Sequence, residues 1–239
     1  MSTRLNSENK YRYLFDYPAY PTAEASRLIG LSSGQVRRWL RGYEFNYQTK
    51  KHPQFRHSKK SPVVPGQIKE EATYASFLDL IDLLLVAEFI KEGFTLQQLR
   101  IVFAEAKRLL EIDHLAYERF FTIGKNVFLE IDTSSIVALQ TGGQLAIDKF
   151  IRTLGHQIEF DERTKLAIRW YPLHPNRNVV IDPCVSFGHP VITGTRVTTS
   201  NVFDFYQAEN GEIDVICDWM NIEKVQVESA VKFEMQLAA

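Results

Sequence analysis

The sequence predicts an α+β fold: an N-terminal winged helix-turn-helix, a helical pair, a small antiparallel β region and a C-terminal three-helix domain. Three observations predict it. Two short helical patterns flank a glycine turn near the N-terminus, two longer apolar helices follow, and the apolar spacing then shortens to that of strands before turning helical again. At 239 residues and 45% apolar, with 12 glycines and 9 prolines, the chain has the composition of a packed globular protein. The boundaries expected are a winged helix-turn-helix segment over 1–66, a helical pair over 67–116 that could dimerise, a β-rich middle over 117–172 and a helical domain over 173–239.

Residues 20–42, YPTAEASRLIGLSSGQVRRWLRG, read as helix, tight turn, helix. Thr22 is expected to cap the first helix, whose Ala25, Leu28 and Ile29 recur at helical spacing. Gly30 suits the left-handed position that ends it. Ser32 or Ser33 then caps a second helix, with Val36, Trp39 and Leu40 inward and Gln35, Arg37, Arg38 and Arg41 outward, and Gly42 closes it. Two short helices about such a turn form the helix-turn-helix pattern. The stretch Tyr43–Gly66 follows, rich in lysine, histidine and aromatics; it reads as a wing hairpin plus a flexible basic strand, with PVVPG as a linker.

Charge supports a nucleic-acid role for this end. Residues 1–69 carry 13 Lys and Arg against 4 Asp and Glu, an excess of nine positive charges, whereas the remainder carries 15 against 25. In a recognition helix the N-terminal residues meet base edges. Those positions are Ser33, Gln35 and Arg37, of which arginine suits guanine and glutamine suits adenine. Arg38 and Arg41 lie where phosphates are expected, Thr22 offers hydroxyl and N–H groups at a helix start, and Lys50, Lys51 and Arg56 extend the backbone footprint along the wing.

Further on, Phe77–Ile90 is so densely apolar that more than one of its faces is expected to be buried. It is too short, and too interrupted by Asp79, Asp82 and Glu88, to span a membrane. Thr95 and Gln98 form a capping-box start for the next helix, with Leu99, Phe103, Ala106 and Leu110 as its stripe. FFTIGKNVFLEI and HQIEFDERTKLAIRWYP have strand character, with a helix at Gln144–Leu154 between them. Asn178–Ile181 is a short strand, Asp182–Arg196 a loop marked by glycine and proline, and helices are expected at about Thr199–Gln207, Glu212–Trp219 and Ile222–Gln236. Ser200 or Thr199, and Asn221, are the expected caps. A polar N-terminus and two cysteines point to a cytoplasmic, reducing location without disulfides.

The first helix pair resembles the opening of the MerR-type winged helix-turn-helix family through Tyr20, Thr22, Ala25, Gly30, Leu31, Ser32, Val36, Arg37 and Trp39. SFLDLIDLLLVAEFIKEGFTLQQLR is similar to that family's second helical pair. The chain departs from it in having no long dimerising helix and no metal-sensing cysteines. Gly188, Pro190, Val191, Ile192, Gly194, Thr195, Arg196 and Val197 resemble a second family, VapB-like antitoxins paired with PIN-like ribonuclease toxins. The likeness implies an operator-binding antitoxin that represses its own operon, with operator DNA and a cognate toxin as partners and a homodimer as the binding form. It also implies that Arg196, Phe203, Tyr206 and Trp219 meet the toxin, Arg196 by forking onto carboxylates of its metal site. The alternative pairs Arg196 with an acid of its own domain, such as Asp204, and places the aromatics in the core. Between Thr199 and Ala239 eight acidic residues face Lys224 and Lys232, which opposes DNA binding there.

No glycine-rich phosphate loop, nucleophile elbow or paired-carboxylate signature is present, so a non-enzymatic protein without cofactor is expected. Cys184, His189 and His174 lack the close pairing of a zinc site, and His52 and His57 sit among lysines. The rival reading is a small-molecule-responsive MerR-like regulator in which Phe160, Trp170 and Tyr171 line a pocket; a third is a scaffold without DNA function.

Overall fold

A computed structural model describes residues 13–49, 52–69, 72–118, 120–121 and 153–238. The architecture is mixed α+β, with small antiparallel sheets and a helical C-terminal region. The described chain forms two compact units, the first within 16–115 and the second from 13–15, 116–118, 120–121 and 153–238.

In the first unit, β1 (Tyr20–Pro21) leads into α1 (Thr22–Leu28) and α2 (Ser33–Arg41). Ala25, Leu28, Val36, Trp39 and Leu40 are buried, as the helical spacing predicts, while Ile29 stays half-buried. Gly30 takes φ +66°, and the Leu31 N–H returns to the Ser26 carbonyl. Ser32 caps α2, its hydroxyl accepting from the Gln35 N–H at 3.3 Å. Thr22 is not a cap. Pro21 holds that position, and Thr22 is the first helical residue.

Gly42 follows at φ +77°, where a Cβ would sit 2.3 Å from the Lys60 carbonyl oxygen. The chain then forms a hairpin, β2 (Tyr43–Thr49) with β3 (His52–Lys60), whose register shifts between Tyr47 and Thr49. The register pairs Tyr43 with Lys60, Phe45 with Ser58 and Tyr47 with Arg56. The second arm is therefore a paired strand, not the flexible one expected. PVVPG is not a linker either. Val63 and Val64 are buried and donate to the Trp39 carbonyl, and Gly66 donates to that of Leu40, so this segment caps the end of α2. Apolar side chains at a helix terminus with orphan carbonyls outweigh the proline signal.

β4 (Gln67–Lys69) and β5 (Ala72–Ala75) complete a three-stranded sheet with β1. In α3 (Phe77–Lys91) eleven of fifteen residues are buried, including Asp79 and Asp82. Its capping box joins Ser76 and Asp79, a signal that the sequence reading missed. Thr95 and Gln98 form the expected box on α4 (Leu96–Leu110), which buries Leu99, Phe103, Ala106 and Leu110, and Val102 as well.

In the second unit β6 (Ile158–Phe160) and β7 (Ala167–Trp170) form the hairpin expected around Asp161–Thr164. The Asp161 carboxylate accepts from the Arg163 and Thr164 N–H groups and holds the turn. Phe120 and Phe121, expected to begin a strand, are helical; they are buried in T-shaped contact, so burial of large rings rather than alternation sets this segment. The rest of that run, and 144–152 of the intervening expected helix, lie outside the described residues. Residues 153–157 are helical.

β8 (Val179–Val180) pairs with β9 (Val191–Ile192) around a single 3-10 turn at Ser186–Gly188. Three helices follow: α5 (Thr199–Ala208), α6 (Ile213–Met220) and α7 (Lys224–Ala238). They pack about Ile192, Val202, Ile216, Ile222, Val227, Ala230 and Val231. The caps differ from expectation. Thr198 caps α5 through its hydroxyl, and Asn221 ends α6 in a left-handed conformation instead of starting α7. Asparagine tolerates that conformation better than most residues. No described helix is long and apolar enough to cross a membrane.

Candidate nucleic-acid interface and C-terminal surface

The two faces of α2 divide by chemistry. Val36, Trp39 and Leu40 are inside; Arg37, Arg38 and Arg41 are exposed. Among the described residues no carboxylate lies within 4.0 Å of the Arg37 or Arg38 guanidinium. Arg27, on the outward side of α1, is exposed as well and was not singled out from the sequence, although its place opposite Ala25 and Leu28 marks it.

The smaller candidates hold the scaffold. Ser26 donates to the Ala23 carbonyl at 2.8 Å, so the 2.9 Å contact between the Ser26 and Ser33 hydroxyls has Ser33 as donor. Ser33 thereby ties α2 to α1. Gln35 accepts at Oε1 from the Ser32 hydroxyl at 3.0 Å, leaving its amide N–H groups as the part that can turn outward. The Thr22 hydroxyl donates to the Thr73 carbonyl at 2.8 Å, so it fastens α1 to β5 and keeps only its backbone N–H for an anion. Thr22, Ser33 and Arg37 nevertheless line one cleft of about 560 Å³, together with Pro21, Gly34 and Thr73. The Thr73 hydroxyl there is buried without a hydrogen-bond partner.

Arg56 is exposed on the hairpin. Lys50 and Lys51 lie outside the described residues. Arg100 on α4 donates to the Ser61 carbonyl at 2.6 Å, which holds the root of the hairpin.

The same unit holds a buried ionic cluster that sequence reading passed over. Asp82 accepts from the Leu115 N–H at 2.9 Å, the Lys107 ammonium at 3.2 Å and His114 Nδ1 at 3.3 Å. Burial alone would raise its pKa, but Lys107 and His114 outweigh it and hold the carboxyl below its usual range. His114 also faces Asp16 at 3.4 Å and Asp79 at 3.9 Å. Burial disfavours its cation, yet the bond to Asp82 and the carboxylates around it raise the imidazole's pKa. Asp79, where burial dominates over the Ser76 N–H bond, is pushed up to about 6.

In the second unit Gly188 and Gly194 both take φ +81°, and Thr195 closes a tight turn through its hydroxyl bond to the Ile192 carbonyl at 2.9 Å. Arg196 stands exposed at the end of this turn. The ion pair to Asp204 considered from the sequence is not formed; among the described residues no carboxylate lies within 4.0 Å of Arg196. The turn directs the backbone of Arg196 onto the Ser186 hydroxyl and leaves its side chain in solvent. Trp219 is 77% exposed, with the Phe205 ring centroid 6.0 Å from its own. Phe203 and Tyr206, in contrast, pack against the helical core.

The residues of the rival pocket are engaged otherwise. Trp170 and Tyr171 are buried, Trp170 donates to Gln157, Tyr171 donates to Glu159 at 2.7 Å, and Phe160 packs on Phe121 at 5.3 Å. Arg169 bridges Glu159 and Asp182, which in turn accepts from the Cys184 N–H. No group of three or more His, Cys, Asp or Glu able to hold a metal ion occurs among the described residues.

Comparison with known proteins matches 179–233 to a family described as a protein of unknown function, DUF433, which takes in β8 through most of α7. The chain is 23% identical over 207 residues to a protein of Mycobacterium tuberculosis (strain ATCC 25618 / H37Rv) named "Putative antitoxin VapB45", covering 79% of this chain and 82% of that one. The crystal structure of Rv2018 from Mycobacterium tuberculosis superposes with a TM-score of 0.69 at 19% identity, over 91% of this chain and 98% of the other. This chain therefore shares its fold with a solved mycobacterial protein and is distantly similar to one named as an antitoxin.

Proposed function

We propose that the chain is the antitoxin of a type II toxin–antitoxin pair: it binds and silences a PIN-like ribonuclease and represses its own operon by binding operator DNA as a homodimer. The observation that carries the DNA half is α2, whose inner face is packed while Arg37 and Arg38 stand in solvent with no carboxylate within 4.0 Å among the described residues. A helix so arranged can enter a major groove, with Arg37 toward base edges and Arg38 and Arg41 toward phosphates. Arg56 and the lysines Lys50 and Lys51 would lengthen the phosphate contact. Similarity to a protein named as an antitoxin supports the toxin half.

On this reading the tasks divide between the ends of the chain, DNA over 1–66 and toxin over 173–239. Arg196 and Trp219 reach the toxin directly, whereas Phe203 and Tyr206 support the helices that present them. Co-expression with the adjacent open reading frame, purification, and a gel shift on the upstream DNA test both halves. Co-purification of an RNase whose activity is suppressed, together with a specific shift, is the expected result. A shift without a bound partner removes the antitoxin reading and keeps the DNA reading.

A further inference from the structure

The hairpin β2–β3 carries a feature that groove binding does not use. Side chains alternate along a strand, so Tyr43, Phe45 and Tyr47 share one face, and their cross-strand partners Lys60, Ser58 and Arg56 lie on it too. The three rings form a row with centroids 5.8 Å apart at each step, tilted by 33° and 42°. Phe45 and Tyr47 are each 38% exposed. The other face satisfies its own charges. Glu44 pairs with Lys59 at 3.5 Å and His57 at 3.4 Å, and His57 also contacts Asn46. On the aromatic face no carboxylate lies within 4.0 Å of Arg56 or Lys60 among the described residues.

From this juxtaposition we propose that the aromatic face of the wing is a binding platform for single-stranded DNA, taking about three unpaired bases on Tyr43, Phe45 and Tyr47 with Arg56 and Lys60 on the phosphates. A row of rings offers π-faces, and only unpaired bases have faces free to meet them, since a duplex buries its own in the stack. Such stacking tolerates any sequence, and flanking cations supply the salt-dependent part of the affinity. Uncompensated positive charge on the same face selects a polyanion over a second copy of the hairpin, which would set Arg56 and Lys60 against like charges. The proposal rests on the DNA-binding reading only in placing both forms of DNA on one unit: the duplex on α2 with Arg56 on its phosphates, and an unpaired strand on the aromatic rings of the wing, which shares Arg56.

Fluorescence anisotropy of the full chain with a labelled 12-nucleotide oligo(dT) tests it, beside the upstream duplex and an oligo(U) of equal length. Wild type should bind oligo(dT), more weakly as salt rises. The pair Phe45→Ala and Tyr47→Ala should weaken that binding by roughly 25-fold, about fivefold per ring, while duplex binding stays within about threefold. Phe45→Trp with Tyr47→Trp keeps the platform; this variant should bind oligo(dT) within about threefold of wild type and show quenched tryptophan emission. Undiminished oligo(dT) binding by the alanine pair overturns the proposal, as does failure of wild type to bind oligo(dT). So do oligo(U) binding more than tenfold tighter than oligo(dT), equal losses on duplex and single strand, and conversion of a dimer to monomer by the alanine pair. Persistent oligo(dT) binding by a wild type that ignores the upstream duplex supports the platform and removes the α2 reading instead.

Discussion

At the scale of single residues, the polar candidates on and around α2 separate into those facing outward and those that build the frame. Arg37→Ala should reduce the ratio of operator to random-DNA affinity by roughly tenfold, because a bidentate base contact discriminates by about 1–3 kcal/mol. Arg56→Ala should lower both affinities by a similar factor and reduce the slope of log K against log salt by about one. Gel shifts on the two DNAs over a salt series separate these outcomes; equal losses on both for Arg37→Ala would remove it from the groove. Which face each arginine takes was legible, since helical period and apolar spacing place Val36, Trp39 and Leu40 inside. The duties of Ser33 and Thr22 were not. Their hydroxyls donate to Ser26 and to the Thr73 carbonyl, partners that a linear pattern does not bring together.

Whole elements are held by groups whose partners lie far off in the sequence. Asp79 and Asp82 interrupt an apolar run, which from the sequence argues only against a membrane span; both are buried in α3, where Lys107 of α4 and His114 beyond it bring charge to them through folding. Loss of one partner from a buried pair leaves the other uncompensated. Asp82→Asn, which keeps an acceptor for Leu115 but removes the charge, should destabilise the first unit by about 2 kcal/mol, measured by urea unfolding. The pH dependence has a definite sign. With His114 raised above its ordinary value, the native state binds more protons than the unfolded one from about pH 6.5 upward, so this contribution is full below that and lost as pH rises through the folded pKa. Asp79, near 6, adds a decline between about pH 4 and 6, whereas Asp82, held low, gives stability that is lost only in stronger acid. Melting temperature should therefore fall as pH rises above about 6.5, and His114→Gln should flatten that fall. An unchanged slope in the variant would place the titration elsewhere. Capping boxes were easier: Thr95 with Gln98 showed in the sequence, and Ser76 with Asp79 carries the same signature once Asp79 is allowed to be a cap residue instead of a surface charge.

Over the whole molecule, the unequal sharing of charge was visible in the sequence, with nine excess positive charges over 1–69 and ten excess negative charges beyond. Left invisible was which C-terminal aromatics are core. Phe203, Tyr206 and Trp219 sit at similar helical spacings, but packing of α5, α6 and α7 buries part of the first two and leaves Trp219 in solvent. That difference yields a prediction about independence of the two ends. Removing an exposed side chain costs the fold little, within about 0.5 kcal/mol, whereas a large aromatic at an interface centre can carry about 2 kcal/mol or more of affinity. Trp219→Ala should thus weaken toxin binding at least about 30-fold in calorimetry, with melting temperature and operator binding unchanged. Phe203→Ala should instead lower stability by about 1–3 kcal/mol and lose toxin binding only in proportion to unfolded protein. Arg37→Ala should leave toxin affinity untouched, since α2 and α6 belong to different compact units and substitutions at independent sites add. If Trp219→Ala binds the toxin as tightly as wild type, the exposed ring of α6 is not the contact, and toxin recognition has to be sought around Arg196 alone.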